Sequence, residues 1–260
     1  GGGQVRWRGG ALARGGGTRG WRGKLGVAAH VASLAGLVAV HRTARQAGDV
    51  LDAALADERG ADHRTRIREP FARGPEAALT RRGLLAPDMS VRRRYRSARG
   101  VSYGPHGVRN QLDVWKRKDL GADARAPVLL QIHGGAWTMG RKEGQGEPLM
   151  AHLAERGWVC VTANYRLSPR ATWPDQIIDV KRALAWTKAN IADHGGDPSF
   201  VVITGGSAGG HLCSLAALTA SLPDLQPGFE EEDTRVAAAV PFYGVYDFTS
   251  RTGAGSTELE

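Results

Sequence analysis

The stretch Gly205-Gly206-Ser207-Ala208-Gly209-Gly210 surrounds one serine hydroxyl with four glycines. An apolar, β-branched run, Phe200 to Thr204, precedes it, and a helix-like run, His211 to Ala220, follows. The pattern G-x-S-x-G between a strand and a helix fits a sharp turn that lifts a serine hydroxyl off a sheet. Such a turn holds its central residue in a backbone conformation that most residues avoid. Positions two before and two after the serine crowd the bend, so Gly205 and Gly209 supply residues without a Cβ. The start of the following helix adds unpaired N–H groups and a positive dipole end. A hydroxyl held this way can act as a nucleophile. Taken alone, five residues also fit an ordinary structural turn. A phosphate-binding loop fits poorly, because no Lys-Ser/Thr pair follows the glycines and the G-x-G-x-x-G register fails.

A second patch supports the nucleophile. His133-Gly134-Gly135-Ala136-Trp137 follows the apolar run Ala126–Ile132, and His133 stands 74 residues before Ser207. Attack on an acyl carbonyl builds negative charge on its oxygen, which needs donors fixed in advance. Backbone amides of small residues do this, and here they are Gly134 and Gly135, joined by Ala208 after the nucleophile. Loss of one such donor costs roughly 100- to 1,000-fold in rate.

Together, "HGGAW" (133–137), "NYRLSP" (164–169) and "GGSAGGH" (205–211) resemble the hormone-sensitive-lipase-like branch of the α/β-hydrolases, the bacterial carboxylesterases and lipases. The resemblance covers roughly residues 100–250. It implies a serine esterase that cleaves small-molecule acyl esters through an acyl-enzyme, with Ser207 as nucleophile and Gly134, Gly135 and Ala208 as oxyanion donors. It makes His133 a structural hydrogen-bonding residue rather than a base. Two positions depart from the family's pattern: Gly206, where many relatives carry an acid, and Ala136, where many carry a third glycine. Trp137 and Tyr243 are candidate pocket walls; Phe242 and Tyr246 read equally as core packing.

A serine needs a base, and the base needs an orienting group. In this fold the order is Ser, then Asp or Glu, then His. The histidines stand at 30, 41, 63, 106, 133, 152, 194 and 211, none beyond 211. His211 lies one helical turn past Ser207 and is expected to point along the helix. Asp247 reads as a turn-capping residue. The expectation is a chain cut short at its C-terminus, with a nucleophile but no base and negligible activity alone. A non-catalytic binding protein of the same fold and a membrane-tethered acyltransferase remain as alternatives.

The elements that must position these residues are apolar strands alternating with amphipathic helices. They predict an α/β fold of the α/β-hydrolase kind, a mostly parallel sheet with helices on both faces, and chemistry at the strands' carboxyl ends. "VSYG" and "QLDVWKR" predict a hairpin before it. Residues 101–260 carry this pattern. Upstream, residues 1–24 form a basic Gly/Arg-rich tail expected to be disordered. Residues 25–60 form an apolar to amphipathic helical segment, and 61–100 an arginine-rich linker. Leu25–Val40 has no formal charge across 16 residues. It reads as a buried helix, a membrane anchor or a cleaved leader, which leaves weak membrane association, and a cytoplasmic or membrane compartment, open.

The formal charge of +9 is uneven. Residues 1–100 hold 20 Lys/Arg against 8 Asp/Glu, whereas the remainder is slightly acidic. The basic front has no nucleic-acid motif and no interleaved aromatics, so no nucleic-acid partner is expected. Cys160 and Cys213 sit singly in apolar runs and read as buried thiols. No metal-ligand spacing appears, and neither a metal nor an organic cofactor is expected.

Overall fold

A computed structural model describes residues 20–66, 87–220 and 222–249. The chain forms two compact units that divide after Arg68.

The first unit is dominated by α1, Trp21–Arg59, a single helix of 39 residues. It runs unbroken through the uncharged stretch and the segment after it. It starts inside the stretch read as a basic tail, whose residues 1–19 lie outside the described residues, as do 67–86 of the expected linker. Leu25, Val27, Val31, Leu34, Leu37 and Val38 are all exposed. At 3.6 residues per turn Val27, Val31, Leu34, Leu37 and Val38 share one face about 120° wide, and Leu25 lies roughly opposite. Gly60 ends the helix with φ +89, and its N–H reaches Ala56 O at 2.9 Å. A short 3-10 turn, His63–Arg66, follows.

The second unit opens with α2, Pro87–Tyr95, and continues as β1 (Arg96–Ser102), β2 (Gln111–Trp115), β3 (Ala126–Ile132), α3 (Glu147–Glu155), β4 (Val159–Ala163), α4 (Asp175–Asn190), β5 (Gly196–Gly206), α5 (Ala208–Leu218) and β6 (Ala238–Phe242). The sheet begins at Arg96, ahead of the composition change at Val101. Edge strands carry charged side chains without penalty, which is why arginines conceal this one. Arg99 stays exposed, and Ser97 Oγ donates to Val114 O at 3.1 Å.

Strand order is β1-β2-β4-β3-β5-β6. The β1–β2 and β2–β4 pairs are antiparallel, and β4, β3, β5 and β6 run parallel. Helices cover both faces of the central strands β4, β3 and β5, as buried parallel strands require, while β6 stays largely exposed. On one side Val128, Leu130, Ile132, Val161 and Ile203 pack with Ile177, Val180 and Leu184 of α4 and Leu212 and Ala216 of α5. On the other, Leu129, Cys160 and Val202 meet Tyr95, Met150 and Ala154. The alternation of Val128-Leu129-Leu130 between the two layers is the period-2 signature of a strand buried on both faces.

The register sets the site. Ile132 pairs with Ala163 on one side and with Gly205 on the other, and Gly206 pairs with Phe242. The carboxyl ends of four neighbouring strands are therefore level. The loop after Ile132 and the bend after Gly206 emerge side by side.

Candidate active site

Ser207 sits between β5 and α5 at φ +57, ψ −123 and is half-buried. Its N–H donates to Phe242 O at 3.0 Å, and its own C=O accepts the first helical bond, from His211 N at 3.0 Å. A Cβ on Gly205 would stand 2.6 Å from Ile132 O, and one on Gly209 2.3 Å from the same oxygen. Both glycines therefore answer to the last carbonyl of β3, which packs directly beneath the bend. As the first residue of α5, Ala208 presents an amide that no helical carbonyl can take.

The His133–Trp137 loop stands against this bend. A Cβ on Gly134 would lie 2.6 Å from Gly206 O and 3.4 Å from Ser207 Cβ. Two motifs far apart in sequence thus meet through a missing methyl group. His133 is buried and stacked on Tyr165, with centroids 4.3 Å apart and planes 14° from parallel. Its Nδ1 is 2.8 Å from Gly134 O. Burial pushes its pKa down to about 4, so the ring is neutral at pH 7 and Nδ1–H donates to that carbonyl. Ala136 and Trp137 follow at φ +49 and +58, a tight bend at the loop's crest.

The two expected donors differ. The Gly134 N–H already donates to Gln145 Oε1 at 2.7 Å. Among the described residues, no intramolecular acceptor takes the Gly135 amide.

The far end of the same loop is anchored to the sheet. Lys142 is 4% exposed, and its Nζ lies 3.0 Å from Asp113 Oδ1, itself 1% exposed. The Lys142 N–H donates to Asn164 Oδ1 at 2.6 Å, and Thr162 Oγ1 donates to Lys142 O at 2.9 Å. The "NYRLSP" segment is thus scaffold. Asn164 holds the loop, Tyr165 supports His133, and Arg166 grips Asp179 with two bonds of 2.9 Å.

Beside the loop lies a cavity of about 440 Å³, lined by residues that include Ala136, Trp137, Trp173, His211, Leu215 and Phe248. Trp137, expected as a pocket wall, is there. His211 lines this cavity, edge-on to Trp137 and Phe248 at 5.3 Å each. Burial lowers its pKa. Among the described residues, no histidine is hydrogen-bonded to Ser207. Tyr243, the other expected wall, places its hydroxyl 2.5 Å from where a Gly206 Cβ would be, beside the residue preceding the serine. Phe242 and Tyr246 are half exposed or more. Asp247 Oδ1 accepts from Thr249 N (3.0 Å) and Oγ1 (3.1 Å), a local turn bond. Among the described residues no cluster of three or more His, Cys, Asp or Glu side chains could hold a metal. Gln145, Trp173 and Phe248 were not foreseen. Gln145 had only its position in the loop to mark it, and Trp173 and Phe248 had no motif at all.

Comparison with known proteins gives a consistent picture. The BD-FAE family model matches residues 112–259. Over 217 residues the chain is 56% identical to a probable carboxylic ester hydrolase, LipM, of Mycobacterium tuberculosis, covering 84% of this chain and 50% of that protein. It is 53% identical over 210 residues to the esterase LipQ of the same organism, covering 80% and 50%. Among solved structures, it is similar to a truncated carbohydrate esterase from gut microbiota, with TM-score 0.54, 28% identity and coverage of 62% and 61%. It is also similar to Thermogutta terrifontis esterase 2 phosphonylated by sarin, with TM-score 0.53, 29% identity and coverage of 60% and 57%. The chain spans about half the length of these two mycobacterial relatives.

Proposed function

The chain belongs to the BD-FAE family of α/β-hydrolases, and we propose that it carries the nucleophile and oxyanion hole of a carboxylic-ester hydrolase. The observation that carries this reading is the contact between the two loops: a strained Ser207 stands 3.4 Å from the position a Gly134 Cβ would take. Ser207 Oγ attacks the ester carbonyl carbon and gives up its proton to a base. The carbonyl oxygen becomes an oxyanion that accepts from the Gly135 and Ala208 amides, both fixed before the charge develops. Collapse expels the alcohol and leaves the acyl group on Ser207; water then releases the acid. Gly134 contributes through the peptide it fixes, its own N–H being committed to Gln145. Because no described histidine is bonded to Ser207, we assign the base and its orienting carboxylate to the full-length protein outside these residues.

The test is a fluorophosphonate probe applied to the full-length protein, with the labelled peptide mapped. Label on Ser207, and loss of both label and ester turnover in Ser207→Ala by at least about 10⁴-fold, is the expected result. An unlabelled Ser207 in a folded protein overturns it.

For α1 we propose a lipid surface as partner. Its support is the uncharged stretch Leu25–Val40 of the helix, whose large apolar side chains are exposed, with arginines and a lysine on its amino-terminal side that suit anionic headgroups.

A further inference from the structure

The loop that carries the donor amides has a residue that no motif marks. Gln145 lies at its closing end, eleven positions after Gly134, and its Oε1 accepts the Gly134 N–H at 2.7 Å. Both Oε1 and Ser207 Cβ lie 3.4 Å from the position a Gly134 Cβ would occupy. The carboxamide is therefore a neighbour of the reacting centre as well as a loop bond.

Two consecutive peptides are immobilised here. The 133–134 peptide is held at both ends: Tyr165 Oη donates to His133 O at 3.0 Å, and the Gly134 N–H donates to Gln145. The 134–135 peptide is held at its carbonyl, where His133 Nδ1 is 2.8 Å from Gly134 O. In a trans peptide the N–H points opposite to the C=O. Fixing Gly134 O therefore aims the Gly135 N–H, and only if Gly134 itself cannot rotate. As a glycine it has no Cβ to restrict it, so its N–H needs a partner to stop the rotation. Gln145 is that partner. A neutral carboxamide also suits the place, since a carboxylate there would oppose an oxyanion.

We propose that Gln145 is a positioning residue for the oxyanion hole: by holding the Gly134 amide it aims the Gly135 amide at the charge formed on the substrate. The proposal rests on the reading of Ser207 as nucleophile.

The experiment uses the full-length protein, first shown to label at Ser207 with a fluorophosphonate; absence of label there sinks the nucleophile reading itself, independently of Gln145. Steady-state hydrolysis of a p-nitrophenyl ester is then compared for wild type, Gln145→Met and Gln145→Glu. Methionine keeps the length and removes the acceptor. Its kcat should fall about tenfold, the scale of one lost hydrogen bond, with KM within twofold and a thermal midpoint lowered by only a few degrees, because the buried Gly134 N–H loses its acceptor while Gln145 itself is exposed. Glutamate keeps an acceptor and adds charge. The ratio of its kcat to that of wild type should fall as pH rises through the carboxylate range near 4–5. A ratio removes the titration of the shared base, and a residue of purely structural role would leave it flat. A methionine variant within twofold of wild type in kcat, or a pH-independent glutamate ratio, overturns the proposal.

Discussion

Gly205, Gly206 and Gly209 flank the same serine but answer to different neighbours. At Gly205 and Gly209 an added methyl group would strike Ile132 O, at 2.6 and 2.3 Å, and that backbone cannot retreat without parting β3 from β5. At Gly206 it would strike the Tyr243 side chain, which is 81% exposed and free to swing away. Gly205→Ala and Gly209→Ala are therefore expected to destabilise the fold by about 1–3 kcal/mol, the range for overpacking, while Gly206→Ala costs less than either; urea unfolding of the three variants ranks them. His133 gives a pH prediction at the same scale. Its folded pKa of about 4 lies below the ordinary value of 6.5, so the unfolded chain takes up its proton first. Stability from this group is complete above pH 6.5 and is lost as pH falls from 6.5 to 4, by about 3 kcal/mol in all. The difference in unfolding free energy between wild type and His133→Gln should change by this amount across that window.

At the scale of the element, the loop between β3 and α3 is held by a buried charge. Lys142 and Asp113 lie in contact almost without solvent, and removal of one member of such a pair strands the other. Asp113 keeps the Gly100 N–H at 2.7 Å and Arg96 at 3.5 Å. Lys142→Met is thus expected at the lower end of the range for such losses, about 3 kcal/mol, read from guanidinium unfolding. Asp113→Leu combined with Lys142→Met should recover part of it, since the most buried charge of the group is then gone and Arg96 and Glu143, left behind, both reach solvent. The strands and helices around this loop were legible in the sequence. Apolar runs such as 126–132 and 159–163, and the i, i+3, i+7 stripe of Ile177, Val180 and Leu184, state their period directly. The loop's internal bonds were not. Gln145 on Gly134 and Lys142 on Asp113 depend on which residues the chain returns to, and no periodicity records that. The surroundings of His211 were not legible for the same reason: helical spacing gives its height above Ser207 but not the cavity it lines. Arg96–Arg99 concealed an edge strand because composition masks one where solvent tolerates charge.

For the whole molecule, the motifs pointed to the sheet and its order of loops, whereas the partner of α1 depends on surroundings outside the chain. If that partner is a membrane, the full-length protein should sediment with the membrane fraction and resist high salt, and deletion of residues 20–59 should release it; a soluble parent would refute the assignment. The 260-residue chain alone is expected to show negligible turnover of a chromogenic short-chain ester, since none of its described histidines is bonded to Ser207. Turnover abolished by Ser207→Ala in that chain would locate the base within it.

The level ends of β3 and β5 carry a kinetic corollary. Neither loop is complete on its own: the hydroxyl belongs to one hairpin-distant segment and its companion amides to another, and only the pairing of Ile132 with Gly205 brings them together. During refolding of the full-length protein, capture of a serine-directed reagent should lag behind the return of helical signal and keep time with closure of the central strands, which makes the nucleophile a stopwatch for the slowest, most non-local step of assembly.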